Sequence, residues 1–234
     1  MAGALGYTLD DWQHKVLTSE ARNLILLAGR QCGKTAVVAM LALHTILTQP
    51  NATVLCLSPS LAQSQEVFRR VANMWKDLAR PIKADSETTL SVVLQNGARL
   101  LSLPGTEGRA RGYSADLVIC DEAARLDDLT FYAVRPTTAA TGGRMVLLST
   151  PFGKRGFYHD IWISGDPDWE RHMIRSSECP RIPASFLESE RRSMPASVYR
   201  AEYECEFGEN EQNVFTVEDV EAAFSKDIPP LLFK

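Results

Sequence analysis

Ala28-Gly29-Arg30-Gln31-Cys32-Gly33-Lys34-Thr35 is the stretch on which the fold turns. Before it, residues 23–29 (NLILLAG) form a short apolar run closing on glycine, the pattern of a buried strand that opens into a turn. After it, apolar positions at Val37, Val38, Leu41 and Ile46 keep helical spacing from Lys34 to a stop at Gln49-Pro50, because the residue before a proline resists helical geometry. Strand, glycine-bearing loop and helix, in that order, gather backbone N–H groups and the positive end of a helix around one point. That is a cradle for phosphate, with Lys34 as a mobile cation for the outer phosphates and the Thr35 hydroxyl as a magnesium ligand. The candidate ATP-binding set is therefore Gly29, Arg30, Gln31, Cys32, Gly33, Lys34 and Thr35. Ala28 stands where the strict pattern places its first glycine.

A second signal lies downstream, where Leu117-Val118-Ile119-Cys120 runs into Asp121-Glu122. Such a strand buries its body and presents its acids at the carboxyl edge of the sheet, where ligands of open α/β sheets bind. Asp121 is the expected magnesium ligand, directly or through water, and Glu122 the carboxylate that orients and polarises the attacking water. A third strand over residues 145–148 ends in Ser149-Thr150-Pro151, which places two hydroxyls where they could sense the γ-phosphate; a strand capped by a turn gives the same pattern.

Between these signals, strands and helices alternate. Residues 53–57 read as a strand, 61–78 as an amphipathic helix, and 89–94 with 99–103 as a hairpin around Asn96-Gly97. Several strands are apolar throughout, which predicts an α/β fold with a mainly parallel sheet covered by helices on both faces. After about residue 180 the sequence becomes charged and helix-prone over 184–192, 196–207 and 217–224, so the expected division is a core of residues 1–179 and a small helical lid or linker of 180–234.

The chain has 234 residues, 45% hydrophobic and 23% charged, enough for one substantial core. Its apolar runs fall short of the roughly 20 residues a membrane-spanning helix needs, and no basic-then-apolar leader opens it, so no membrane partner and a cytoplasmic location are expected. Five cysteines without CxxC pairs, with Cys32, Cys56 and Cys120 in or beside apolar runs, suit small core residues in a reducing compartment. A net charge of −4 speaks against a chain that coats nucleic acid indiscriminately.

With these three strand ends in place, the chain resembles the ATPase domain of the large terminase subunits of tailed bacteriophages, a family of P-loop NTPases that package DNA. The resemblance rests on GRQCGKT in the loop, LVICDEAA at the Asp-Glu strand and LLSTPFG after the third strand, in that order. It implies an ATP-hydrolysing motor with Mg2+ that moves double-stranded DNA without reading sequence, assembles as a homo-oligomeric ring, and works with a portal, a procapsid and a small terminase subunit in the infected host cell. It further implies that Gln13, in Leu9-Asp10-Asp11-Trp12-Gln13, contacts adenine, and that Ser149 and Thr150 couple hydrolysis to movement. Arg111, in Arg109-Ala110-Arg111-Gly112, matches the family's arginine finger, which reaches a neighbouring subunit's nucleotide. Arg30 is a second candidate, acting in cis on the γ-phosphate.

The family carries a nuclease domain after this region, and no nuclease activity is expected from the residues given; the acids of Glu202-Tyr203-Glu204-Cys205-Glu206 read as a solvated helix face rather than as a metal cluster. Arg99, Arg109 and Lys154 are candidate phosphate contacts to DNA. Two other readings stay open at this point: a helicase-like DNA translocase, and an ATP-gated binding module with negligible turnover.

Overall fold

The computed structural model describes residues 1–105 and 112–208. At its centre is an eight-stranded sheet in the order β3-β4-β5-β2-β6-β7-β1-β8. The strands are β1 (Asn23–Ala28), β2 (Thr53–Ser58), β3 (Ala84–Glu87), β4 (Ser91–Leu94), β5 (Arg99–Pro104), β6 (Leu117–Asp121), β7 (Arg144–Ser149) and β8 (Trp169–Ile174). From β5 to β8 across the sheet every pairing is parallel, whereas β3, β4 and β5 form an antiparallel edge. The Asn96-Gly97 hairpin forms as expected, with Gly97 at φ +80°, where the missing Cβ removes the clash.

Side-chain alternation divides the central strands between two cores. Leu24, Leu26, Val54, Cys56, Ile119, Val146 and Leu148 face one side, where they meet α2 (Lys34–Thr48) and α3 (Leu61–Asp77). Ile25, Leu27, Leu55, Leu57, Val118, Cys120 and Leu147 face the other, against Phe131 and Val134 of α4 (Asp128–Val134) and Phe157 and Tyr158 of α5 (Gly156–Ser164). Each such aliphatic side chain contributes about 1.5–3 kcal/mol on full burial, so the sheet is fixed by both faces at once. Helix α2 is buried nearly all round because α1 (Asp11–Thr18), α3 and the sheet enclose it. This is why its sequence is apolar beyond a single stripe.

The charged C-terminal stretch forms α6 (Ala184–Ser193) and α7 (Ala196–Glu204) around a small core of Leu187, Tyr199 and Tyr203. The helix expected to run to residue 207 stops at Glu204, where Cys205 takes a left-handed backbone at φ +62° and its thiol donates to the Ile174 carbonyl at 3.2 Å. The helix expected over 217–224 lies outside the described residues. The solvated-face reading of residues 202–206 is corrected by the fold: Glu202 turns inward to two arginines, and Tyr203 and Cys205 are buried.

Candidate active site

Strand β7 lies between β1 and β6, and all three are parallel, so their carboxyl ends stand side by side. The loop of residues 29–33 leaves β1, Ser149-Thr150 leaves β7, and Asp121-Glu122 leaves β6. Three motifs far apart in the chain are thereby brought to one edge.

The loop is held in shape by its own backbone and by its neighbours. Ala28 is the last residue of β1 with ordinary strand geometry, so the position needs no glycine. Gly29 does: a Cβ there would run into the hydroxyl and backbone of Ser176 and the carbonyl of Tyr203. The Gly29 and Arg30 N–H groups donate to the carbonyls of Ile174 and Glu202 at 2.9 and 2.7 Å, which stitches the loop to β8 and to α7. Gly33 starts α2 at φ +88°.

Lys34 is buried and folds back, its Nζ donating to the carbonyls of Ala28 at 2.8 Å and Gly29 at 3.0 Å. Thr35 sits opposite Asp121, with Oγ1 to Oδ2 at 3.5 Å. Burial pushes the Asp121 carboxyl up to about 6, and the adjacent Glu122 charge adds to this; Lys34, the Glu122 N–H and Thr35 oppose it.

Glu122 has a left-handed backbone, φ 52° and ψ 45°, which swings the chain out of β6 into a short 3-10 turn. Its Oε2 accepts from the Ser149 hydroxyl at 3.2 Å and from Arg125 Nη1 at 2.9 Å. Arg125 Nη1 also donates to Thr150 Oγ1 at 3.0 Å, and Nη2 to Glu202 Oε1 at 3.3 Å. Glu202 Oε2 in turn accepts from Arg30 Nε at 2.9 Å.

Gln13 is buried beside the loop. Its Oε1 accepts from the Asp10 N–H at 3.0 Å, and its Nε2 lies over Gly33. Arg181 clamps this corner, donating to Asp10 Oδ1 at 2.7 Å and to the Cys32 carbonyl at 3.1 Å. Next to it is a cavity of about 460 Å3 lined by Leu9, Trp12, Met173 and Pro180 among others. Cys32 packs in the loop's own core with Ala28, Ile174 and Cys179.

The structure thus brings Gln13, the loop, Lys34, Thr35, Asp121, Glu122, Ser149 and Thr150 together. Arg30 points to Glu202. Gln31 is an exposed loop residue at φ +62°. Arg99 is occupied, donating to Thr53 Oγ1 at 2.9 Å and lying over the Tyr113 ring, while Lys154 is exposed. Arg109 and Arg111 lie outside the described residues. Arg125, Arg181 and Glu202 escaped the sequence reading. For Arg125 a signal existed: it stands three residues after Glu122, the spacing that eclipses side chains in a 3-10 turn.

A family model described as the N-terminal part of the terminase large subunit, T4likevirus type, matches residues 25–222. A terminase large subunit of Thermus virus P23-45 is 24% identical over 248 residues, covering 91% of this chain and 51% of that protein. The Thermus phage P74-26 large terminase ATPase domain superposes with a TM-score of 0.80 at 21% identity, over 88% of this chain and 97% of that one. A large terminase from a thermophilic bacteriophage, solved in complex with ADP, gives 0.74 at 12% identity, over 85% of this chain and 54% of that one. At these identities the structural likeness is one of fold. The chain spans about half the length of the curated relatives it matches.

Proposed function

The chain belongs to the family of terminase large subunits, and from that premise we propose that it is an ATP-hydrolysing motor domain that couples Mg-ATP hydrolysis to movement of double-stranded DNA into a procapsid. The observation that carries this reading is the meeting of Lys34, Asp121, Glu122 and Ser149 at the carboxyl ends of three adjacent parallel strands.

In this reading Lys34 exchanges two backbone carbonyls for phosphate oxygens, so the loop is preformed and its lysine parked. Thr35 and Asp121 would hold magnesium: a hydroxyl and a carboxylate 3.5 Å apart are the hard oxygen donors this ion selects. When bound, the ion would neutralise charge on the β- and γ-phosphates. Glu122 orients water, and Ser149, hydrogen-bonded to that carboxylate, links the hydrolytic step to β7 and to Thr150. Gln13 and the cavity next to it would take the adenine.

Residues 1–179 serve as the ATPase core and 180–234 as the lid, with α7 resting on the loop through the Arg30 N–H to Glu202 carbonyl bond. Arg111 would complete the site of a neighbouring subunit in a ring, and the portal, procapsid and small subunit are the expected partners. Among the described residues no helix is long and apolar enough to cross a membrane. The test is steady-state ATP turnover by Lys34→Ala and Glu122→Gln. Loss of turnover in both, with nucleotide still bound by Glu122→Gln, is the expected result; turnover at the wild-type rate in either would overturn the reading.

A further inference from the structure

Arg125, which belongs to none of the three motifs, is bonded to two of them and to the C-terminal helix pair. The left-handed Glu122 turns the chain so that the Arg125 N–H donates to the Glu122 carbonyl at 2.9 Å, which brings the guanidinium back over the Glu122 carboxylate. One guanidinium then serves three acceptors on three elements: Glu122 after β6, Thr150 after β7 and Glu202 on α7. The Phe152 ring lies against it, 4.8 Å from ring centroid to Cζ, and the side chain is 28% exposed.

The charges alternate along a single chain of contacts, Arg30, Glu202, Arg125, Glu122. Glu202, with a side chain only 15% exposed, is held by arginines on both of its oxygens. An isolated surface ion pair contributes little, but a planar fork with three acceptors and a ring on its face is a fixed geometry. Truncating Arg125 would leave Ser149 as the one side chain among the described residues that bonds the Glu122 carboxylate, and would leave both carboxylates without the cation between them.

We infer that Arg125 is a positioning residue for the hydrolytic carboxylate: it sets the orientation of Glu122 and, through Glu202, ties that orientation to the seating of helix α7. This rests on the proposed hydrolytic role of Glu122. It adds a direct path by which the lid acts on the water-activating group without passing through nucleotide. A carboxylate displaced by about 1 Å from its working geometry loses about a hundredfold in rate, so the effect belongs in kcat.

The test uses the full chain with Mg-ATP and compares Arg125→Ala, Arg125→Lys, Glu202→Gln and Glu122→Gln. Arg125→Ala is expected to lower kcat by about 30- to 100-fold while KM, affinity for a fluorescent non-hydrolysable ATP analogue and Tm stay near wild type. Arg125→Lys should recover part of the rate, since it keeps the charge and one of the contacts. Glu202→Gln should lower kcat several-fold, and adding it to Arg125→Ala should cost little more, because both act through one contact. Wild-type kcat in Arg125→Ala alongside an inactive Glu122→Gln would overturn the positioning role and leave the hydrolytic reading standing. A parallel fall of kcat, nucleotide affinity and Tm in Arg125→Ala would also overturn it, as a purely structural loss. Wild-type turnover in Glu122→Gln would overturn both.

Discussion

The Lys34 ammonium and the Ala28 carbonyl are hydrogen-bonded at 2.8 Å, so the lysine of the loop lies inside the loop. Replacing it removes the cation that phosphate would recruit and also strands two buried carbonyls. We expect Lys34→Met to lose about a hundredfold or more in ATP affinity, with a stability cost of about 1–3 kcal/mol for the unpaired acceptors. Titration of a fluorescent ATP analogue and urea unfolding read the two effects separately. Unchanged nucleotide affinity would count against Lys34 as the phosphate-binding cation, and unchanged stability against its role as partner of the two carbonyls.

Asp121 gives a pH dependence with a definite sign. Its folded carboxyl is pushed up to about 6, above the ordinary aspartate value of about 3.9, because it is buried. The folded state therefore holds this proton more tightly than the unfolded chain. Its contribution to stability is largest below about pH 4, declines as pH rises to about 6, and is gone above that; the linkage is about 3 kcal/mol at most. Urea midpoints of the metal-free protein should fall between about pH 4.5 and 7 by more in wild type than in Asp121→Asn. Superimposable profiles would mean an ordinary aspartate.

Gly29 is enclosed by Ser176 and the Tyr203 carbonyl, where an added methyl has no room. Gly29→Ala should destabilise by about 1–3 kcal/mol, the usual cost of overpacking. Because Tyr203 belongs to α7, the damage should also appear as faster amide hydrogen exchange in residues 196–204, ahead of the central strands. Uniform protection in both regions would show that the helix is not seated on the loop at this point.

The parts of this architecture legible in sequence are those whose signal is local. Strands β1, β2, β6 and β7 are buried on both faces and read as apolar runs. Strands β3 and β8 are edges: Ala84–Glu87 is polar and largely exposed, and Trp169–Ile174 carries Glu170, Arg171 and His172, so neither shows that pattern. Helices α4 and α5 are short and follow no clear stripe of the kind that revealed α3. In the site, the loop, Asp121-Glu122 and Ser149-Thr150 were visible because their spacing to a strand end is short and fixed. Glu202 was not, because its partners Arg30 and Arg125 are 172 and 77 residues away. A run of acids on a short helix looks solvated until the fold supplies arginines for it to face.

In the proposed mechanism the arginine finger is the element supplied by a neighbouring subunit. Resemblance assigns it to Arg111, whereas Arg30, the cis candidate, is engaged by Glu202. If Arg111 acts in trans, a site needs Glu122 from one subunit and Arg111 from its neighbour, as in any head-to-tail ring. Turnover per subunit should then rise with protein concentration, and Arg111→Ala and Glu122→Gln should each be nearly inactive alone. In an equal mixture about one quarter of sites pair an intact Glu122 with an intact neighbouring Arg111, so activity should return to about that fraction of wild type if subunits assort at random in the ring. Such recovery cannot arise from sites contained within one chain. Concentration-independent turnover, with Arg111→Ala fully active, would instead mean a self-contained site, and the arginine acting on the γ-phosphate would have to be sought in the same chain, starting with Arg30.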